Sequence, residues 1–354
     1  MKNKKITFSV LFVIIFSILY LILAGRPLGK EYHFEPEWET SILSPVSVPD
    51  SEKIFPFKLS DKAGYFDEHG HITQTVNIPA SYKASISQNY LSVYPINAER
   101  TDFYDLSGNK AGTIEAAGFP HFVKDKVFVF LPGGCSISRC NNEGKTVWTY
   151  EGVIPITAFV CKETSTAIGL ADGTIKVFNT ETGEMTLEYA PGGSDNPVIL
   201  GIDITADGNY IASISGQDRQ RFVLAHKENT QVKIIHHNFI NENYALQCLI
   251  HFTDDEKSVF YNYKNGLGIF DLENEKNTYI KIDSRIISVE ESDSMVFFMG
   301  VNKNKYTVYL IEKSNSLTGS FSFTADTAFI RSDNENLYIG KNNFLLFLFQ
   351  KAGV

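Results

Sequence analysis

From about residue 40 onward the chain repeats one pattern, a short apolar strand, a polar turn rich in Gly, Asn and Asp, and a second short strand. It appears as YFDEHGHITQTV from Tyr65, FYDLSGNKAGTI from Phe103, KVFNTETGEMTLEY from Lys176 and GIFDLENEKNTYIKI from Gly268, and more loosely as TVYLIEKSNSLTGSFSF from Thr307. Two further strand candidates precede each unit, such as AFVCKE at Ala158 with TAIGL at Thr166, or ILGIDIT at Ile199 with NYIASIS at Asn209. That makes four strands per repeat, at a spacing of about 35 to 48 residues. A four-stranded sheet of this size cannot bury both faces alone. Neighbouring sheets must therefore stack face to face around an axis, which is the architecture of a β-propeller.

Candidates for the innermost strand fall near Val46, Ile86, Phe122, Val160, Ile202, Ile250, Ser288 and Phe329, so the expected ring has eight four-stranded blades. Seven blades, with an irregular first unit, is the alternative. The last unit supplies only three strands and ends in FLLFLFQ, from Phe344 to Gln350. A fourth drawn from Tyr32 to Glu39 would close the ring and remove an exposed sheet edge. Composition agrees with an all-β fold. Aromatic residues make up 13% of the chain and are mostly Phe and Tyr, which suit pleated, half-buried strands. No stretch has convincing amphipathic helical periodicity.

The amino end reads differently. Lys2, Lys4 and Lys5 precede an uncharged run from Ile6 to Ala24, ended by Gly25, Arg26 and Pro27. A helix over that run would reach roughly 28 Å, about the thickness of a hydrocarbon core. The run is longer than the apolar core of an ordinary signal peptide, and Ile22 occupies a position where a cleavage site favours a small residue. The expectation is a retained single-pass signal anchor, with cleavage and a secreted or periplasmic product as the alternative. In both cases the basic end stays cytoplasmic and the propeller lies outside the membrane. The organisation is then anchor over residues 1–26, linker and ring-closing strand over 27–40, and propeller over 41–354. Acidic residues outnumber basic ones by 41 to 32, for a net charge of -9, which argues against nucleic acid as a partner.

ADGTIKVFNTETGE, from Ala171 to Glu184, resembles the turn and third strand of a WD-type repeat, and TADGNYIASISG, from Thr205 to Gly216, the hairpin before it. EGKTVWTYEG, from Glu143 to Gly152, is similar to the tail of a repeat in quinoprotein-type (PQQ-like) propellers. The chain departs from both families. It has two tryptophans, Trp38 and Trp148, so no Trp docking contact can recur in every blade, and the WD dipeptide is absent. The resemblance implies a propeller of the broad quinoprotein-like and WD-repeat-like class. Non-enzymatic members of that class include the propeller lipoprotein of the outer-membrane barrel-assembly machinery, a protein-binding scaffold.

No local motif for a nucleophile elbow, zinc helix, phosphate loop, dinucleotide turn or calcium loop occurs. Asp172 and Asp207 read as turn formers that support positive φ in tight hairpins. His69 and His71 flank Gly70 at a hairpin tip, and the adjacent His236 and His237 would point to opposite faces of a strand. Cys135 and Cys140 on one extended strand would lie roughly 16 Å apart, beyond disulfide reach. Cys161 and Cys248 read as small buried thiols in apolar strands. Asp254, Asp255 and Glu256 read as a solvated blade turn. No catalytic, cofactor-binding or metal-binding residue is assigned, and no cofactor is expected. The functional expectation is a non-catalytic scaffold that offers a propeller rim to a protein or peptide partner, with Gln217 to Glu242 as a protruding contact element. The alternative is a propeller enzyme of quinoprotein or lactonase type with an axial cofactor or metal site.

Overall fold

Strands such as Met295–Asn302, MVFFMGVN, are apolar at nearly every position because both faces are covered. Val296 and Phe298 pack toward the preceding sheet, while Met295, Phe297 and Met299 pack toward the following one. Period-two alternation thus separates two buried faces here, and the sequence reads as a continuous apolar run.

The computed structural model describes residues 11–20, 32–229, 231–240, 246–313 and 316–352. Eight antiparallel sheets follow one another along the chain, seven of four strands and one of three. Eight apolar clusters fill the eight junctions between successive sheets and close the ring. The eight-bladed expectation holds and the seven-bladed alternative falls. Blades 2 to 8 start with innermost strands at Tyr82, Phe119, Ile156, Ile199, Ile250, Arg285 and Ala328. The end of the ring at which these strands begin is called the upper face below.

Ring closure is as expected. Strand β1, Tyr32–Ser41, pairs antiparallel with Phe344–Ala352, so the blade 8 sheet runs β1, Phe344–Ala352, Asn336–Lys341, Ala328–Asp333. Trp38 of β1 lies 5.7 Å from Phe347 and 6.0 Å from Tyr338, centroid to centroid. Phe34 meets Phe297 of blade 7 edge to face at 6.2 Å, and the Tyr32 hydroxyl donates to Glu312 Oε1 at 2.6 Å.

Blade 1 departs from expectation. It holds three strands, β2 (Ile54–Leu59), β3 (Lys62–Asp67) and β4 (Ile72–Asn77), and Val46 lies in none of them. β2 takes the innermost place but runs in reverse. Its end, at Ser60, meets Thr327 just before the innermost strand of blade 8, while Lys53 at its start meets Asp333 at that strand's end. The Asp67 turn is built like the Asp105 and Asn141 turns between third and fourth strands, each acid or amide capping N–H groups two and four residues ahead. Blade 1 has therefore lost its first strand, and its second has moved inward. Residues 43–49, which would have formed the missing strand, are interrupted by Pro45 and Pro49, which lack N–H donors. Val46 and Val48 are exposed, and Ser47 N–H donates to the Ile72 carbonyl.

Gly70 in the β3–β4 turn has φ +84°, and a Cβ there would sit 2.7 Å from the Trp38 ring. Gly70→Ala is expected to cost about 1 to 3 kcal/mol. Gly133→Ala, at φ +91° with nothing within 4 Å, carries the conformational cost alone. Urea unfolding midpoints should therefore fall further for the first substitution than for the second.

Residues 11–20 are helical and exposed, a ten-residue piece of the apolar run whose two ends lie outside the described residues. Among the described residues no helix is long and apolar enough to cross a membrane. The expected contact element, Gln217 to Glu242, is mostly not a loop. Arg221–Glu228 and Gln231–Phe239 are the two outer strands of blade 5, and Glu242 lies outside the described residues. The alternating polar residues of Gln231–Phe239 are the solvent face of an outermost strand.

Candidate functional site

The innermost strands of blades 4 to 7 start around a cavity of about 610 Å³ at the upper end of the axis. Phe159, Ile202, Leu249, Ile286 and Ile287 form its apolar wall, Leu246 is 52% exposed at its mouth, and Arg285 adds one cation. Cys248 also faces this funnel, but burial pushes its thiol up to about 12, so it is no nucleophile at neutral pH. On the innermost strand of blade 3, His121 packs edge-on against Phe159 and Phe130 at 5.3 and 5.9 Å. Desolvation holds it below the usual histidine range. The funnel thus offers apolar side chains beside the Gln247 amide and one guanidinium, which suits a side chain of a partner.

At the lower end, carboxylates stitch successive blades together. Asp203 of blade 5 accepts from Phe252 N of blade 6 at 2.8 Å and pairs with Lys162 of blade 4 at 3.4 Å. Glu291 of blade 7 bonds His251 of blade 6 at 2.7 Å, Lys313 at 2.6 Å and Asp254 N at 2.9 Å. Glu290 meets Arg331 of blade 8 at 2.8 Å, and Asp333 meets Lys53 before blade 1 at 2.7 Å. Burial raises Asp203 and Glu290. Burial also acts to raise Glu291, but the His251 and Lys313 bonds outweigh it and hold that carboxyl below its ordinary value. These partners account for the carboxylates as structural ties.

Charge divides the upper face. In blades 5 to 8 its turns and strand ends carry Arg219, Arg221, Lys264 and Lys281, then Arg285, Lys303, Lys305 and Lys341. Asp218, Asp283, Asp326 and Asp195, the last in the loop bonded to the Asp218 turn, are the carboxylates there among the described residues. Over blades 2 to 4 the same face carries Glu99, Glu115, Glu151 and Asp172 against Arg100.

The residues singled out in the sequence take the following places. Asp172 caps Thr174 N, and Asp207 caps Asn209 N and binds Thr205 Oγ1, as turn formers do. His71 Nδ1 lies 3.1 Å from Asp67 Oδ2 at the hairpin tip with His69. His236 stacks on Phe270 at 4.3 Å and bonds Asn277, while His237 points to the other, exposed face. Cys135 lies in a turn before the strand Ile137–Cys140, and all four cysteines are free thiols. Asp254, Asp255 and Glu256 form the lower turn of blade 6, and Glu256 Oε1 accepts from Ala206 N of blade 5 at 2.6 Å. Among the described residues no three His, Cys, Asp or Glu side chains group as metal ligands. Sequence reading missed Leu246, in the segment before blade 6, and Arg285 and Ile287, at the start of the innermost strand of blade 7, which converge only in the ring.

A Treponema pallidum (strain Nichols) protein, described as uncharacterized, is 26% identical over 354 residues, covering 96% of this chain and 92% of the relative. Among solved structures, BamB from Moraxella catarrhalis matches with a TM-score of 0.60 at 12% identity, over 89% of this chain and 99% of that one. Dihydro-heme d1 dehydrogenase NirN in complex with DHE matches with a TM-score of 0.63 at 12% identity, over 88% and 75%. At these identities the two structures share the fold alone. A family model described as beta-propeller protein matches residues 1–349, a span that reaches into the last strand of blade 8, and the chain belongs to that family.

Proposed function

We propose that this propeller is a non-catalytic, protein-binding scaffold held at the outer surface of a membrane, with its upper face turned toward the partner. The observation that carries the reading is the axial funnel, a cavity of mixed apolar and polar lining walled by four blades, in which the one thiol is buried and protonated. Such a site seats a side chain and has no group poised to react with it. The Lys-flanked run Ile6–Ala24 supports the anchoring. Seven residues separate Ala24 from β1, which begins at the lower, peripheral end of blade 8, and the eight Cα steps between them reach no more than about 28 Å. The lower face then lies toward the bilayer and the funnel away from it.

Crosslinking in intact membranes tests the reading. The full chain should capture a discrete partner, and Ile287→Asp, which puts a charge into the funnel, should lose it at least tenfold. Equal capture by both forms, or bystanders alone, would remove the support. The enzymatic alternative predicts stoichiometric metal or quinone in the purified protein, which elemental analysis and an absorption spectrum decide.

A further inference from the structure

The eight cations on the upper face of blades 5 to 8 share one property. None forms an ion pair among the described residues, whereas the lower face of the same blades is tied by carboxylate pairs. In a chain of net charge -9, that leaves a basic crescent beside the funnel, opposite an acidic arc over blades 2 to 4.

Two of the cations are held in place. Arg219 lies over the Phe239 ring at 5.0 Å from its centroid and Arg221 at 6.0 Å, so one exposed aromatic carries both guanidinium groups. Arg221 Nη1 is also tethered, at 3.4 Å, to the carbonyls of Pro191 and Gly192. The adjacent Asp218 is engaged elsewhere, since its Oδ2 accepts from Asn196 Nδ2 at 2.7 Å. Preorganised guanidinium donors of this kind suit planar carboxylates and lose little side-chain entropy on binding.

We propose that the crescent over blades 5 to 8 docks an acidic segment of the partner protein, with Arg219 and Arg221 binding its carboxylates while an apolar residue of the same segment enters the funnel. The inference rests on the scaffold reading and names the chemistry of its partner. The acidic arc would repel such a segment from blades 2 to 4 and so fix its direction across the face.

Fluorescence anisotropy on the full chain in detergent tests it with two labelled probes, hexaglutamate and hexalysine, each ending in a single leucine. The glutamate probe should bind and the lysine probe should not. Its affinity should fall at least tenfold between about 50 and about 500 mM salt. Arg219→Gln with Arg221→Gln should weaken it about tenfold or more, with the unfolding midpoint unchanged. Ile287→Asp should weaken it too. No preference for the acidic probe, or equal binding by the double arginine variant, overturns the proposal, as does competition by inorganic phosphate as strong as by free glutamate peptide. If the partner captured in membranes is lost with Ile287→Asp yet kept with the arginine variant, the scaffold reading stands and the acidic segment falls.

Discussion

A chain beginning at residue 42 is expected to lose cooperative unfolding, whereas removal of residues 1–26 should leave the midpoint within about 2 °C of the parent. β1 supplies the outer strand of blade 8 and three aromatic side chains. Tyr32 and Phe34 reach blade 7, and Trp38 rests on Phe347 and Tyr338. These three are half-buried, so each contributes less than the about 1.5 to 3 kcal/mol of a fully buried side chain. Their combined loss, together with the strand pairing to Phe344–Ala352, is a large part of the net stability of an ordinary domain, about 5 to 15 kcal/mol. The loss also opens the junction between first and last blades, where cluster packing depends on both partners. Circular dichroism melting and chymotrypsin digestion read the effect. A truncated chain that melts at the parental temperature would show that β1 is dispensable.

Glu291→Ala is expected to destabilise the ring by about 3 to 5 kcal/mol, the usual cost of leaving a buried ion-pair network with one partner missing. The carboxylate is 4% exposed and satisfies His251, Lys313 and the Asp254 N–H together. Its effect should depend on pH in one direction. Because the folded carboxyl is held below its unfolded value, its stabilisation is present above the unfolded value and is lost as pH falls through the folded one. The difference between parent and Glu291→Gln in urea unfolding should therefore be full at pH 7 and shrink below about pH 4. Asp203 and Glu290, raised by burial, work the other way, since their ionised forms cost stability that protonation relieves. A difference between parent and variant that is constant from pH 7 to pH 3 would mean that Glu291 acts through packing alone.

The ring was legible in the sequence because its turns announce themselves. Asp105, Asn141 and Asp172 cap their own hairpins locally, so their meaning does not depend on distant chain. Seven of the eight innermost-strand positions, from Ile86 to Phe329, fall inside the observed strands. Val46 misleads because a short apolar stretch looks the same whether it lines an axis or lies on a rim. The prolines beside it decide the matter, and their effect shows only once β2 is seen running backward. Gln217 to Glu242 misleads for the opposite reason, because half-solvated outer strands are polar enough to read as loop. The funnel was not legible at all. Phe159, Ile202, Leu246 and Ile287 stand in four different blades, and no spacing along the chain encodes their meeting. The charge division of the upper face was hidden in the same way, since cations that cluster in space alternate along the chain with the carboxylates of the opposite rim.

The pairing of β1 with Phe344–Ala352 has a consequence for the order of events in the cell. The first portion of the propeller to leave the ribosome waits for nearly the last, some three hundred residues later, so the barrier to completion is set by one very distant encounter. Until then seven blades stand as an open arc with two sticky ends, and a chaperone that shields those ends would govern yield more than any property of the finished molecule.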